Sequence, residues 1–322
     1  MSTMRFVYHF DVIIADSVGV PFYGDSYKFS GMGGSEFEQI LLAEELVKNG
    51  KTVACLNKSP SWSRARGVEY FPLDILSYEK FECESLILER GTKRPSRDEI
   101  SSKKLFRWVT DSYWGQQDDD AWIVCVSRWQ AELKSGHDEK IMIIRNMIPD
   151  WVYDIKPNRN TKANSFIYAS AAMKGLQETI NYFSTMKKSK EFRDATLTVM
   201  NPGYDSPKDV VADGVTFKGS LPFSEVVKEM QKCRSMIHVS TFKETFGIAH
   251  VLAELLGLNV FVFQTQGEDA LNEVMNGCKT DRPDIFNSLM AKYGKEPQSF
   301  LPKSPKFDYR ASTIIKQWME II

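Results

Sequence analysis

Short apolar runs alternate along the chain with longer stretches in which apolar positions recur every three or four residues. Runs of the first kind make strands buried on both faces; stretches of the second kind make helices with one apolar face. The alternation is clearest in the second half. Residues 235–240 (Ser-Met-Ile-His-Val-Ser) predict a strand, 241–247 break the pattern, and Ile248, Val251, Leu252, Leu255 and Leu256 mark one helix face. Gly257 stops that helix, as a C-terminal glycine does. Residues 260–263 predict the next strand, and 264–269 a polar loop before another short helix.

The first half follows the same rule. Residues 5–14 contain a strand, and 17–30 form a polar loop that ends in Gly31-Met-Gly-Gly-Ser-Glu36. The helix after it turns Phe37, Ile40, Leu41 and Val47 inward and ends at Asn49-Gly50; Ser35 and Glu38 are spaced as a capping box. Strands are predicted at 52–56, 85–88, 106–109 and 122–126, then a helix opening at Ser127 and a last strand at 140–144. Residues 149–163 are polar and proline-punctuated, the composition of a linker. Beyond it come strands at 166–169, 195–200 and 215–217, and helices over Leu176, Ile180 and Phe183 and over 225–232. Residues 283–305 read as loop-rich, and 311–322 as an amphipathic terminal helix. The order defines an α/β chain with two parallel-sheet domains, 1–150 and 160–310.

A length of 322 residues suits two domains of ordinary size. The net charge of −1 gives no electrostatic case for nucleic acid or an anionic membrane. No apolar run approaches the roughly 20 residues of a membrane span, and the start lacks the features of a secretory signal. The cysteines Cys55, Cys83, Cys125, Cys233 and Cys278 are scattered and form no C-x-x-C pair, which points to reduced thiols in a cytosol-like compartment. Two charge runs stand out. The basic stretch 90–107 reads as a solvated loop and helix face or as a surface for an anionic acceptor such as a phospholipid or nucleic acid, and Asp118-Asp119-Asp120 as a solvated loop or a metal-binding carboxylate group.

Candidate chemistry collects around Glu244. The predicted order puts Glu244 and the amides of Phe246, Gly247 and Ile248 between the carboxyl end of a strand and the amino end of a helix. First-turn amides have no partner within the helix, and the macrodipole adds about half a positive charge, so such an end suits phosphate. Gly247 would let a ligand approach the main chain, and Glu244 could accept hydrogen bonds from sugar hydroxyls. Equally, Glu244 is a helix-start carboxylate that offsets the dipole. The earlier glycine loop does not fit G-x-G-x-x-G, because Glu36 occupies the third glycine position.

Glu244-Thr-Phe-Gly-Ile-Ala249, with Ala253, Gly257 and Val260, resembles the signature of the retaining GT-B glycosyltransferases of family 4. In that family the first Glu contacts the donor sugar, the Phe-Gly main chain holds the diphosphate, and a second Glu holds the ribose. The resemblance implies a catalytic role for Glu244 and donor binding by Phe246, Gly247 and Ile248. The second Glu is replaced: Leu252 occupies its register, and Glu254 lies about 200° round the helix axis. Gly33-Gly34-Ser35-Glu36 looks like the family's loop under the donor phosphates, though two glycines before a helix are also plain turn chemistry. Lys174-Gly175 matches a basic turn that binds those phosphates, with Ser170 where an Arg is usual; a solvated Lys174 is the bland alternative. Gly267 falls in the family's glycine loop, with Glu268 where a second Gly is common and Glu273 as the residue that fixes it. Asp111 follows Thr110 where an acceptor-side His-Asp pair is frequent, and a strand-end Asp capping the next turn accounts for it as well.

The resemblance implies two Rossmann-like domains facing each other across a cleft, with the terminal helix 311–322 packing back on the first. It implies retaining, metal-independent transfer from a nucleotide-diphosphate sugar, with no cofactor, to a glycan, lipid or other acceptor. The expected location is cytoplasmic, soluble or peripheral to a membrane. Leu252 and Ser170 keep open a catalytically altered, glycosyltransferase-like binding protein. A sugar-nucleotide epimerase or phosphorylase on the same fold is the other alternative.

Overall fold

The computed structural model describes residues 5–112, 118, 120–133, 140–158, 160–205, 211–293 and 306–322. The chain divides into two compact units. Unit 1 comprises Met1–Ser26, Gly34–Met147 and Tyr309–Ile322; unit 2 comprises Tyr27–Gly33 and Ile148–Asp308.

Unit 1 is built on strands β1 (Val7–Ala15), β2 (Val53–Asn57), β3 (Ser63–Ala65), β4 (Val68–Pro72), β5 (Lys80–Glu89), β6 (Ile100–Val109), β7 (Trp122–Cys125) and β8 (Ile141–Ile143). Among the described residues they form an eight-stranded sheet in the order β3-β4-β2-β1-β5-β6-β7-β8. All pairs are parallel except β3 with β4. Ile13, Ile14 and Ala15 of β1 are fully buried, as expected of a central strand covered on both sides. Unit 1 also holds α2 (Gly34–Lys48) and α3 (Arg128–Glu132), which follows β7; the short helix α1 (Ser26–Phe29) before α2 falls mostly in the segment grouped with unit 2. The last helix, α9 (Ala311–Ile321), buries Ile314, Ile315 and Trp318, and the Trp318 ring meets that of Trp108 edge-on with centroids 5.3 Å apart.

Several local expectations are corrected here. Ser35 and Glu38 do not form a capping box. Helix α2 starts at Gly34, so Ser35 lies inside it and shares a 2.8 Å hydrogen bond with the Thr110 hydroxyl. Glu38 is fully buried and accepts from the Met147 amide at 2.8 Å. The basic stretch 90–107 is not a solvated helix face: its second half is β6, and Arg107 is 2 % exposed. The guanidinium of Arg107 donates to the carbonyls of Arg90 and Thr92 and pairs with Asp118. Asp118 is therefore an internal counter-ion, and Asp120 pairs with Arg94; Asp119 lies outside the described residues.

Unit 2 contains β9 (Ser165–Ala169), β10 (Thr196–Met200), β11 (Val215–Gly219), β12 (Ser235–Ser240), β13 (Asn259–Gln264) and β14 (Cys278–Thr280). Among the described residues they make a six-stranded, all-parallel sheet in the order β11-β10-β9-β12-β13-β14. Its helices are α4 (Leu176–Met186), α5 (Phe223–Lys232), α6 (Ile248–Leu255), α7 (Leu271–Val274) and α8 (Pro283–Tyr293). Helix α8 replaces part of the loop expected over 283–305: Pro283 opens the helix, where a missing N–H is harmless. Residues 294–305 lie outside the described residues. Phe166, Phe183, Leu197, Ile237 and Phe261 form the core between sheet and helices. Strand order reverses between β9 and β12, the kind of switch point where open parallel sheets bind ligands. Among the described residues no helix is long and apolar enough to cross a membrane. The α/β reading with two parallel sheets is the observed fold.

Candidate active site

The chain leaves β9 through a tight turn at Ala172–Lys174 and enters α4 by way of Gly175, whose φ is 114°. A Cβ at Gly175 would stand 1.9 Å from the Val239 carbonyl oxygen, so only glycine fits. The Thr179 hydroxyl donates to the Gly175 carbonyl and accepts from the Val239 amide. The Thr241 amide donates to the Lys174 carbonyl at 3.2 Å. These bonds staple the Lys174 turn to the end of β12. The Lys174 ammonium then stands 3.0 and 2.9 Å from the two carboxylate oxygens of Glu244. Glu244 is 5 % exposed, while a quarter of the Lys174 side chain remains open. Burial pulls the Lys174 ammonium down, but Glu244 outweighs it and the pKa is raised. Burial likewise pushes Glu244 up, and Lys174 overrides it to leave the carboxyl below its usual range.

Asp269 ties the next loop to this pair. Its Oδ2 accepts from the Glu244 amide at 3.0 Å, and its Oδ1 from Gln264 Nε2 and the Leu271 amide at 2.8 and 2.9 Å. Burial pushes Asp269 up to about 6 against those bonds. The loop carries Gly267 at φ 80°, and a Cβ there would meet nothing within 4 Å, so its main chain is approachable. Sequence reasoning assigned the fixing role to Glu273; Asp269 makes the bonds that join the two loops.

Gly247 caps α6 at φ 83°. The space where its side chain would go is filled: a Cβ would be 2.4 Å from Leu271 Cδ2 and 3.0 Å from His250 Nδ1. Backbone conformation and internal packing therefore require this glycine, rather than an opening for a ligand on that side. Phe246 is buried at 1 % exposure beneath the loop, and Ile248 begins the helix, so their amides flank Gly247 at its N-terminal end. Leu252 faces the core at 2 % exposure. Glu254 cannot stand in for a ribose ligand, because its carboxylate holds the Asn276 amide at 2.8 and 3.1 Å.

Lys174, Glu244, the start of α6 and the Gly267 loop thus lie together beyond the carboxyl ends of β9, β12 and β13. Gly33 is buried at the end of the segment grouped with unit 2; Gly34 is exposed as the first residue of α2 in unit 1. Asp111, also in unit 1, is half-buried just past β6, and its carbonyl accepts from Gln130 Nε2 at 2.8 Å. Unit 1 has its own reversal of strand order, between β1 and β5. A buried cluster sits there that the sequence reading missed. One Arg90 nitrogen donates to Asp16 and to Glu36, each at 2.6 Å, and Gln39 donates to Asp16 at 2.8 Å. Asp16 and Arg90 each lie one residue past a strand and Glu36 is in the first turn of α2, positions that could have singled them out. Beside them Glu89, raised well above the carboxylate range by burial, accepts from Thr110.

No protein-family model matches the chain, and no curated protein matches it closely enough to be called a relative. Solved structures do match over nearly the full length. AviGT4, a glycosyltransferase involved in avilamycin A biosynthesis, is 13 % identical with a TM-score of 0.64, over 97 % of this chain and 96 % of that one. Sucrose-phosphate synthase from Thermosynechococcus elongatus is 13 % identical with a TM-score of 0.64, over 98 % of both chains. Anabaena HepE, solved with UDP and glucose, is 15 % identical with a TM-score of 0.61, over 97 % of this chain and 99 % of that one. At such identities the likeness defines the fold: two parallel α/β domains of the GT-B glycosyltransferase type.

Proposed function

We propose that the chain is a glycosyltransferase that takes its sugar from a nucleotide-diphosphate donor. The observation that carries this reading is the Lys174–Glu244 pair at the switch point of the unit 2 sheet, beside the N-terminal end of α6. A cation and a helix start favour a diphosphate, and both stabilise the charge that develops as it leaves. Such electrostatic help needs no metal, and the retaining course follows the resemblance of Glu244-Thr-Phe-Gly247 to family 4. Glu244 would orient the donor sugar, and the exposed main chain at Gly267 would lie along it. Gly33 and Gly34 remain candidate phosphate contacts and Asp111 a candidate acceptor contact, for a glycan or lipid-linked acceptor. HepE was solved with UDP and glucose, which makes UDP the first nucleotide to test.

The test is ligand-induced thermal stabilisation by UDP, GDP and ADP, followed by turnover of the corresponding sugar nucleotides. At 100 times its Kd the right nucleotide should add about 2.7 kcal/mol of stability. Glu244→Gln, which keeps the shape and removes the charge, should cut transfer by about 100-fold or more. A chain that none of the three stabilises would instead be a glycosyltransferase-like binding protein, the reading that Leu252 and Ser170 favour.

A further inference from the structure

Two buried histidines adjoin this site, and the proposed chemistry gives neither a task. His238 in β12 is 0 % exposed, and His250 in the first turn of α6 is 1 % exposed. Their rings lie nearly parallel, at 18°, with centroids 5.0 Å apart, and meet edge to edge: His238 Nδ1 lies 2.8 Å from His250 Nε2. The other nitrogen of His238, Nε2, lies 2.7 Å from the carbonyl oxygen of Lys174.

The carbonyl partner assigns the tautomers of both rings. A carbonyl only accepts, so His238 carries its hydrogen on Nε2 and presents a lone pair at Nδ1. His250 must then donate to that lone pair from its own Nε2. Its Nδ1, buried beneath Gly247, is then left as a lone pair. Both rings are neutral in this state, and burial holds both below the ordinary histidine range. The charged groups that face them are Glu244, from the loop before α6, and Lys174, from the turn after β9; Tyr168 of β9 closes on His238 edge-on at 5.2 Å.

We propose that His238 and His250 are positioning residues of the diphosphate site, a tautomer-fixed relay that holds the Lys174 main chain and so sets where its ammonium stands. The Lys174 side chain is long and partly open, so its reach is defined only as well as its backbone is held. Besides the relay, the Lys174 carbonyl takes the Thr241 amide at 3.2 Å, a longer bond than the one from His238. His238 in turn keeps its tautomer because His250 donates to it. The relay therefore runs from the first turn of α6 to the turn bearing the cation, beneath the place proposed for the diphosphate. This inference rests on the nucleotide-diphosphate reading of the site.

His250→Gln retains an N–H where Nε2 stands; His250→Leu removes it and leaves His238 Nδ1 without a donor. Calorimetric titration with UDP, GDP and ADP should show His250→Leu weakening the nucleotide that binds by about tenfold, and His250→Gln by less than about threefold. In a Lys174→Met background, His250→Leu should weaken binding no further, because the relay acts through Lys174. A role in stability alone predicts the same loss in both backgrounds, and that outcome overturns the relay. So does equal weakening by Leu and Gln, or unchanged binding by His250→Leu. Should His250→Leu not fold, nitrogen-15 spectra of the wild-type imidazoles at pH 7 decide the matter: His238 must be the neutral Nε2–H tautomer, and the Nδ1–H tautomer or an imidazolium overturns the relay. If none of the three nucleotides binds the wild-type chain, the nucleotide reading falls and the relay's role falls with it, even with the tautomers as described.

Discussion

Glu244 and Lys174 lie 70 positions apart in the chain and meet at 2.9 Å. Each moves the other's pKa against its own burial, so the pair is ionised across the neutral range. The histidines beside it make the residue-scale prediction. His250 is held down to about 3 by burial and by His238, whereas in the unfolded chain it titrates near 6.5. As pH falls below about 6.5 the unfolded chain takes up a proton that the folded chain refuses, and stability is lost by about 1.4 kcal/mol per pH unit. Asp269 runs the other way: its folded pKa of about 6 is above the unfolded value, so its contribution improves as pH falls through that range. Comparing wild type with His250→Gln cancels Asp269. The stability difference between them should shift in favour of the variant by that slope between pH 6.5 and 4.5, read from urea midpoints; a constant difference would mean His250 is not buried neutral.

At the scale of elements, α6 shows how much local pattern can carry. Its apolar spacing from Ile248 to Leu256 and its stop at Gly257 are plain in the sequence, and the helix runs from Ile248 to Leu255. The reason for Gly247 was not legible, because Leu271 and His250, which occupy its side-chain space, are tertiary neighbours. Gly247→Ala should therefore cost about 2–5 kcal/mol, the sum of left-handed backbone strain and overpacking. Gly267→Ala, with the same backbone sign but open space, should cost only about 1–2 kcal/mol. Chemical denaturation of the two variants checks this, and equal losses would contradict the packing account. The capping box failed for a related reason: Ser35 and Glu38 have the right spacing, yet Thr110 and the Met147 amide are the partners that claim them. Strand β3 showed no signal in the pattern, since it is three residues long and not buried.

For the molecule as a whole, both sheets reverse strand order, and charged side chains gather at both reversals. In unit 2 the Lys174 cation is partly open; in unit 1 Arg90 is buried between Asp16 and Glu36. Arg90→Met would leave two buried carboxylates without their cation and should destabilise the protein by about 3–5 kcal/mol at pH 7. Part of that loss should return in acid as the carboxylates protonate. Denaturant midpoints at pH 7 and pH 5 measure both effects, and a loss below about 1 kcal/mol would show that the cluster is not held by Arg90.

Periodicity by itself determined the alternation of strands and helices, the two parallel sheets and the stretch around Glu244, because burial on one face or two leaves a local imprint on residue order. Which carboxylate meets which cation was decided only by the tertiary structure. Asp16 with Arg90, Asp269 with the Glu244 amide, and His238 with Lys174 are contacts between strand ends that sheet order brings together, and the spacing of residues along a chain does not encode sheet order.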